Sequence, residues 1–104
     1  MMKDKKHMTS TLEKLLFNPV RLKILSFLFS VENASFKKLM EISGATKGNI
    51  SVQIKKLEDA GCLKIKKKFK DNYPLTLCSI TLKGRKYFKL FFVSLNSYDK
   101  NKNE

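Results

Sequence analysis

The chain has 104 residues, 42% of them apolar, which is enough for one modest core and leaves no room for a second domain. Its 22 Lys and Arg against 9 Asp and Glu give a formal charge of +13, so the expected partner is a polyanion, nucleic acid before an anionic membrane surface. A single histidine, two cysteines without metal-ligand spacing, and no apolar run near the roughly 18 residues of a spanning helix argue against an enzyme, a metal or cofactor site, a disulfide framework and a membrane protein; the expectation is a soluble cytoplasmic protein. The basic set is 20 Lys and 2 Arg beside 7 Asn, a bias that codon usage alone can produce, so the placement of the charge carries more information than its sum.

Residues 1–9 and 97–104 are charged and lack apolar periodicity, and read as a disordered basic leader and a disordered tail around one domain at 10–96. Ser10 and Glu13 have capping-box spacing, and Leu12, Leu15 and Leu16 recur at helical spacing, so a short helix starts near Thr11. Pro19 ends it at Asn18 and suits the first turn of the next helix, whose buried stripe is Val20, Ile24, Phe27 and Leu28, with Leu25 on its flank. Val31–Ala34 reads as a polar turn. Ser35 then caps a helix of about two turns carrying Phe36, Leu39, Met40 and Ile42, which ends before Gly44. Thr46 is the N-cap of a further helix with Ile50, Ile54 and Leu57 facing inward, stopped by Gly61. Two short helices around a glycine-containing turn form a helix-turn-helix.

From Leu63 the period changes to two. Leu63, Ile65 and Phe69 mark a strand, Lys70 to Pro74 a turn, and Leu75–Ile80 a second strand; Lys64, Lys66, Lys67, Lys68 and Lys70 crowd this hairpin. Thr81 caps a last helix from Leu82 to about Asn96, where Tyr87, Phe88, Leu90, Phe91, Phe92 and Leu95 cover more of the circumference than one small core needs. The fold class is therefore mainly α with a small β-hairpin, in one domain.

The segments Asn18–Leu25 (NPVRLKIL), Ser35–Leu39 (SFKKL), Thr46–Ser51 (TKGNIS), Leu57–Gly61 (LEDAG) and Ile80–Arg85 (ITLKGR) occur in the order and spacing of a known family. Over roughly residues 12–95 the chain resembles the winged helix-turn-helix transcriptional regulators, most closely the small MarR/ArsR-like group. It departs from that pattern conservatively at Ile80, where the group usually has Leu. The resemblance implies a homodimer that binds double-stranded operator DNA, with the helix at about 46–60 in the major groove and the Lys-rich hairpin at about 64–74 as a wing on the flanking backbone.

On a helical wheel Gly48, Asn49, Val52, Lys55 and Lys56 lie opposite the inward stripe. Lys47, Asn49, Val52 and the flanking Gln53 are the candidates to reach base edges: Asn or Gln for adenine, Lys for guanine, Val for a thymine methyl. Ser51, Lys55 and Lys56 are placed to hold phosphates, Gly48 to let the backbones approach, and the cap Thr46 is counted with the DNA-binding residues of this helix. A Lys-rich helix face is often only solvated, but an exposed Val52 and Gly48 suit close contact better than water. In the wing, Lys66, Lys67, Lys68, Lys70 and Asn72 are the candidate contacts, although lysines also guard edge strands and Asn72 also suits a turn. Tyr73 either enters a minor groove or covers the hairpin tip. Leu12, Leu15, Leu16, Tyr87, Phe88, Phe91, Phe92 and Leu95 form the candidate dimer interface, shared with the domain's own core. Three points stay open: whether Arg21 touches phosphate or pairs with Glu58 or Asp59, whether Arg85 is structural, and whether Cys62 and Cys78 act as a redox pair or as inert filling. No effector is written in the sequence. The rival readings are a winged module for structured RNA or a ribosome-associated complex, and a module docking an acidic protein.

Overall fold

Asn18 and Pro19 divide the N-terminal helical stretch as their chemistry requires. The computed structural model describes the backbone of residues 11–102 and the side chains of 11–96. Helix α1 (residues 11–16) closes with the Phe17 N–H donating to the Glu13 carbonyl at 2.8 Å. Asn18 then accepts the Arg21 N–H at 2.9 Å and caps α2 (Pro19–Ser30). Ser35 accepts the Lys38 N–H and caps α3 (Phe36–Ser43), which Gly44 ends in the left-handed region at φ 69°. Thr46 accepts the Asn49 N–H at 3.2 Å and caps α4 (Lys47–Asp59). The helix-turn-helix is thus delimited by the same cap and glycine residues that mark it in the sequence. The expected Ser10 capping box and the leader at 1–9 lie outside the described residues, as do the side chains of 97–104.

Strands β2 (Leu63–Lys70) and β3 (Tyr73–Ile80) form the hairpin, paired antiparallel from Leu63↔Ile80 to Lys70↔Tyr73. The turn is tighter than its composition suggests. Only Asp71 and Asn72 make it, at φ 51° and 67°, the two positive angles of a type I′ turn, so Tyr73 and Pro74 belong to the strand. Pro74 is tolerated because it lies beyond the stretch of β3 that pairs with Ala34 and Ser35, where β3 has a neighbour on one side only. A strand absent from the sequence reading, β1 (Ala34–Ser35), adds to β3 through Ala34↔Cys78 and Ser35↔Leu77, giving the sheet order β1-β3-β2. Helix α5 (Leu82–Lys102) runs six residues past Asn96, where the last apolar position had suggested its end.

One core joins these elements: Leu12 and Leu16 of α1, Ile24, Leu25 and Leu28 of α2, Leu39 of α3, Ile50, Ile54 and Leu57 of α4, Leu63 and Cys78 of the sheet, and Phe88 and Phe91 of α5. Phe88 sits between Phe29 and Phe92, at 5.1 and 4.9 Å between ring centroids, and Phe17 meets Phe91 edge-on at 5.1 Å. Four side chains expected in a dimer interface, Leu12, Leu16, Phe88 and Phe91, are therefore spent inside the protomer, each no more than 6% exposed.

The joint between α4, β2 and α5 explains why the LEDAG and ITLKGR segments read as they do. Gly61 takes φ 79°, and its carbonyl accepts from the Thr81 hydroxyl at 2.6 Å, while the same hydroxyl accepts the Gly84 N–H at 2.9 Å. The Thr81 N–H donates to the Cys62 carbonyl at 3.1 Å. A Cβ on Gly84 would stand 2.2 Å from that carbonyl oxygen, so only glycine lets α5 pass this close. Arg85 donates to the Phe29 carbonyl at 3.2 Å and lies over the Phe29 ring, contacts that tie α5 to α2.

Candidate nucleic-acid interface

Helix α4 presents two contrasting sides because its apolar residues fall three and four apart. Ile50, Ile54 and Leu57 are buried, whereas Lys47, Gly48, Asn49, Ser51, Val52, Lys55 and Lys56 are exposed, as is the cap Thr46. Val52 is 50% exposed, with nothing within 4 Å of where a Cβ on Gly48 would lie. Each of these eight residues is exposed in the described chain. This face is a shallow, small-residue surface ringed by amide, hydroxyl and ammonium groups, open to a partner's close approach.

Gln53 departs from the expectation. It is 8% exposed, and its amide is engaged on both sides: Oε1 accepts from Arg21 Nη1 at 2.5 Å, and Nε2 donates to Asn49 Oδ1 at 2.9 Å. It is an internal link rather than a base-reading group. Arg21 has structural partners, though neither Glu58 nor Asp59 is among them. Its Nε donates to the Leu15 carbonyl at 2.7 Å, and its pKa is lowered by burial. Glu58 and Asp59 instead hold Lys55, at 3.3 and 3.1 Å, and these contacts raise the Lys55 pKa. Lys55 thus has local counterions that Lys47 and Lys56 lack among the described contacts, which weakens it as a phosphate ligand.

The pleat of the hairpin sorts its lysines. Lys64, Lys66, Lys68 and Lys70 share one face with Tyr73, Leu75, Leu77 and Ser79, while Lys67 lies on the other with Ile65 and Phe69, on the side that carries the buried Leu63 and Cys78. All five lysines are exposed, Lys64, Lys66, Lys68 and Lys70 on one face and Lys67 on the other. At the tip Asn72 takes the positive φ of the turn with its side chain exposed, and Phe69 and Tyr73 stand 80% and 75% exposed.

Between α3, the first turn of α4 and β3 runs a groove of about 630 Å3, lined by Ser35, Phe36, Lys37, Met40, Lys47, Ser51 and Thr76 among others. It brings the expected Lys47 and Ser51 beside Lys37, which the sequence reading did not single out. The signal was present in the SFKKL segment, where a helix capped by Ser35 places Lys37 on its outer side. Cys62 and Cys78 are free, buried thiols; burial raises both pKa values, Cys78 to about 11, so neither is a ready thiolate. Among the described residues no group of side chains is arranged to hold a metal, and no helix is long and apolar enough to cross a membrane.

The comparison with known proteins agrees with this geometry. An uncharacterised protein of Methanocaldococcus jannaschii is 35% identical over 88 residues, covering 85% of this chain and 96% of its own. The structure of a transcriptional regulator homologue from Pyrococcus horikoshii is 33% identical, covers the whole of both chains and superposes with a TM-score of 0.81. A MarR-family regulator from Enterococcus faecalis, 17% identical, shares the fold over 99% of this chain and 92% of its own, with a TM-score of 0.78. The winged helix DNA-binding domain family matches residues 20–98, from the start of α2 into α5. With three-quarters of its length inside that match and a whole-chain relative among the transcriptional regulators, the chain belongs to the winged helix DNA-binding family.

Proposed function

We propose that the protein is a homodimeric, sequence-selective regulator of transcription that inserts the N-terminal half of α4 into the major groove of double-stranded DNA. The observation that carries this reading is the open face of α4: Val52 and Gly48 exposed at its centre, with Lys47, Asn49, Ser51 and Lys56 around them. A solvated face has no use for an exposed valine, whereas a thymine methyl does. Lys37 and Lys47 at the groove beside α4, and the lysines of β2, supply the phosphate contacts that fix register without reading sequence.

The dimer reading keeps Leu15, Tyr87, Phe92 and Leu95 of the side chains expected from the sequence and adds Phe17, Leu90 and Val93. Phe17, Leu90, Phe92 and Val93 are 60%, 46%, 50% and 62% exposed, and with the half-buried Leu15, Tyr87 and Leu95 they leave α5 apolar on much of its outer side. A two-fold pairing of α5 would cover them and set two copies of α4 one DNA turn apart. Selection of duplexes from a random pool, in the presence of competing tRNA and at several salt concentrations, tests the whole reading. The expected result is a palindromic consensus with half-sites about 10 base pairs apart and an affinity that falls steeply with salt. Equal competition by tRNA with no consensus would refute it.

A further inference from the structure

The orientation of the Asn49 amide is set from inside the protein. At the end of α1 the Lys14 and Leu15 carbonyls accept from Arg21 Nη2 and Nε, at 3.5 and 2.7 Å. Arg21 Nη1 donates to Gln53 Oε1, and Gln53 Nε2 donates to Asn49 Oδ1 at 2.9 Å. A guanidinium has hydrogens to give and no lone pair to accept with, so the relay has one direction only. Gln53 must turn its oxygen inward and its nitrogen outward. Asn49, exposed on the open face, must then turn its oxygen back toward Gln53, which leaves its two Nδ2 hydrogens for whatever lies in front of the helix. A freely rotating asparagine offers a donor and an acceptor in either sense; this one is polarised.

We propose that Arg21 and Gln53 are positioning residues that fix Asn49 as a hydrogen-bond donor, so that the protein selects, opposite this side chain, a base whose major-groove edge offers a carbonyl acceptor: guanine O6 with N7, or thymine O4. The proposal rests on α4 being the groove-reading helix. It makes the choice of one base pair in each half-site depend on residues that touch no DNA, one of them held by α1.

The substitution Gln53→Glu tests it. A carboxylate in this place still accepts from Arg21 but has no hydrogen for Asn49; it accepts from Asn49 Nδ2 instead and turns Oδ1 toward the groove. In parallel selections the preference at that one position should move from guanine or thymine to adenine or cytosine, whose N6 and N4 amino groups donate, with a change in relative affinity of about tenfold and the other positions unaltered. Gln53→Met keeps the length of the side chain and removes both hydrogen bonds; discrimination at that position alone should relax. In the parent protein the Gln53 side-chain amide should exchange its hydrogens with solvent far more slowly than that of Asn49, a measurement that needs no variant. An unchanged consensus in both variants, a loss of preference spread evenly over all positions, or an unprotected Gln53 amide would overturn the relay. A parent protein that selects no consensus refutes the reading of α4 itself, and the relay falls with it; a parent consensus untouched by the variants refutes the relay alone.

Discussion

Helix α4 and the β2–β3 wing carry basic residues in similar density, yet the fold treats them in opposite ways. One side of α4 is locked by Ile50, Ile54 and Leu57 in the core and by the Arg21–Gln53–Asn49 hydrogen bonds. Beyond Ile65 every residue of β2 is exposed, on whichever face it lies, and the outer half of the wing is held by ladder hydrogen bonds and a two-residue turn. Reading bases requires side chains placed to within a fraction of an ångström, which only the first region provides. Holding phosphates requires charge and reach, and long lysines on a loosely supported ribbon suffice for that. The charge of α4 is also partly cancelled from within, Lys55 lying against Glu58 and Asp59, while among the described residues no wing lysine lies in such an ion pair. On the function proposed above, the difference would give sequence choice to α4 and salt-dependent grip to the wing.

The sharpest way to break that division is to remove the wing's charge and leave α4 alone. Replacing Lys64, Lys66, Lys68 and Lys70 together by Gln should lower the slope of log affinity against log salt by up to about 3.6, at roughly 0.9 for each phosphate released, and weaken binding near 0.1 M salt by about a thousandfold. The consensus selected from a random pool should stay the same. Binding isotherms over a salt series check the first part; a changed consensus would mean that the wing reads bases after all.

Gly84 joins the two regions, since it lies against the Cys62 carbonyl at the link from α4 to β2. Gly84→Ala would place a methyl 2.2 Å from that oxygen, with Ile80 at 2.8 Å behind it, and neither neighbour is the end of a flexible chain. The expected loss is about 3 kcal/mol in denaturant unfolding, within the range of core overpacking against backbone. A Gly84→Ala protein as stable as its parent would show that α5 is free to move away from this joint, and that the wing is not held in register with α4.

How much of this arrangement could be read from the residues depends on whether the cause is local. The ends of α2, α3 and α4 were legible because Asn18, Ser35, Gly44 and Thr46 act on backbone groups within three or four residues of themselves. Strand β1 was not, because two residues have no period; Ala34 and Ser35 are a strand only through Cys78 and Leu77, more than forty positions away. The fate of Gln53 was equally hidden. It sits at the border of the helical wheel, and what draws it inward is an arginine on another helix, itself held by backbone carbonyls that leave no trace in side-chain pattern. The aromatic residues of α5 announced an excess of apolar surface, but which of them are consumed by Phe29 and α1 is decided by packing, so Phe88 and Phe91 went to the core and Val93 and Leu90 to the outside.

A smaller effect sharpens the role of α4. Val52→Ala removes two methyl groups from a position half exposed in the free protein, so stability should change by less than about 0.5 kcal/mol. Affinity for the selected site should nevertheless fall by about 1 kcal/mol, fivefold or so, while affinity for unrelated duplex stays level, because the lost contact is made only with a matched base. Competition between the selected site and random duplex measures the ratio directly. Equal losses on both would place Val52 outside the groove.

The smallest effect falls on a lysine in the middle of the candidate surface. Lys55 is as exposed as its neighbours, but its ammonium lies within 3.3 Å of Glu58 and 3.1 Å of Asp59, and those carboxylates raise its pKa. Were Lys55 to move to a phosphate it would leave two carboxylates facing the same polyanion, so its gain and their repulsion would largely cancel. Lys55→Gln should therefore leave the salt slope unchanged within about 0.3, whereas Lys56→Gln should lower it by about 0.9 if Lys56 meets a phosphate. The pair makes the comparison internal to one helix, adjacent residues of the same type and the same exposure class differing in their local counterions. If both substitutions lower the slope alike, Lys55 leaves its acidic partners on binding, and the partial neutralisation of α4 is a property of the free protein alone.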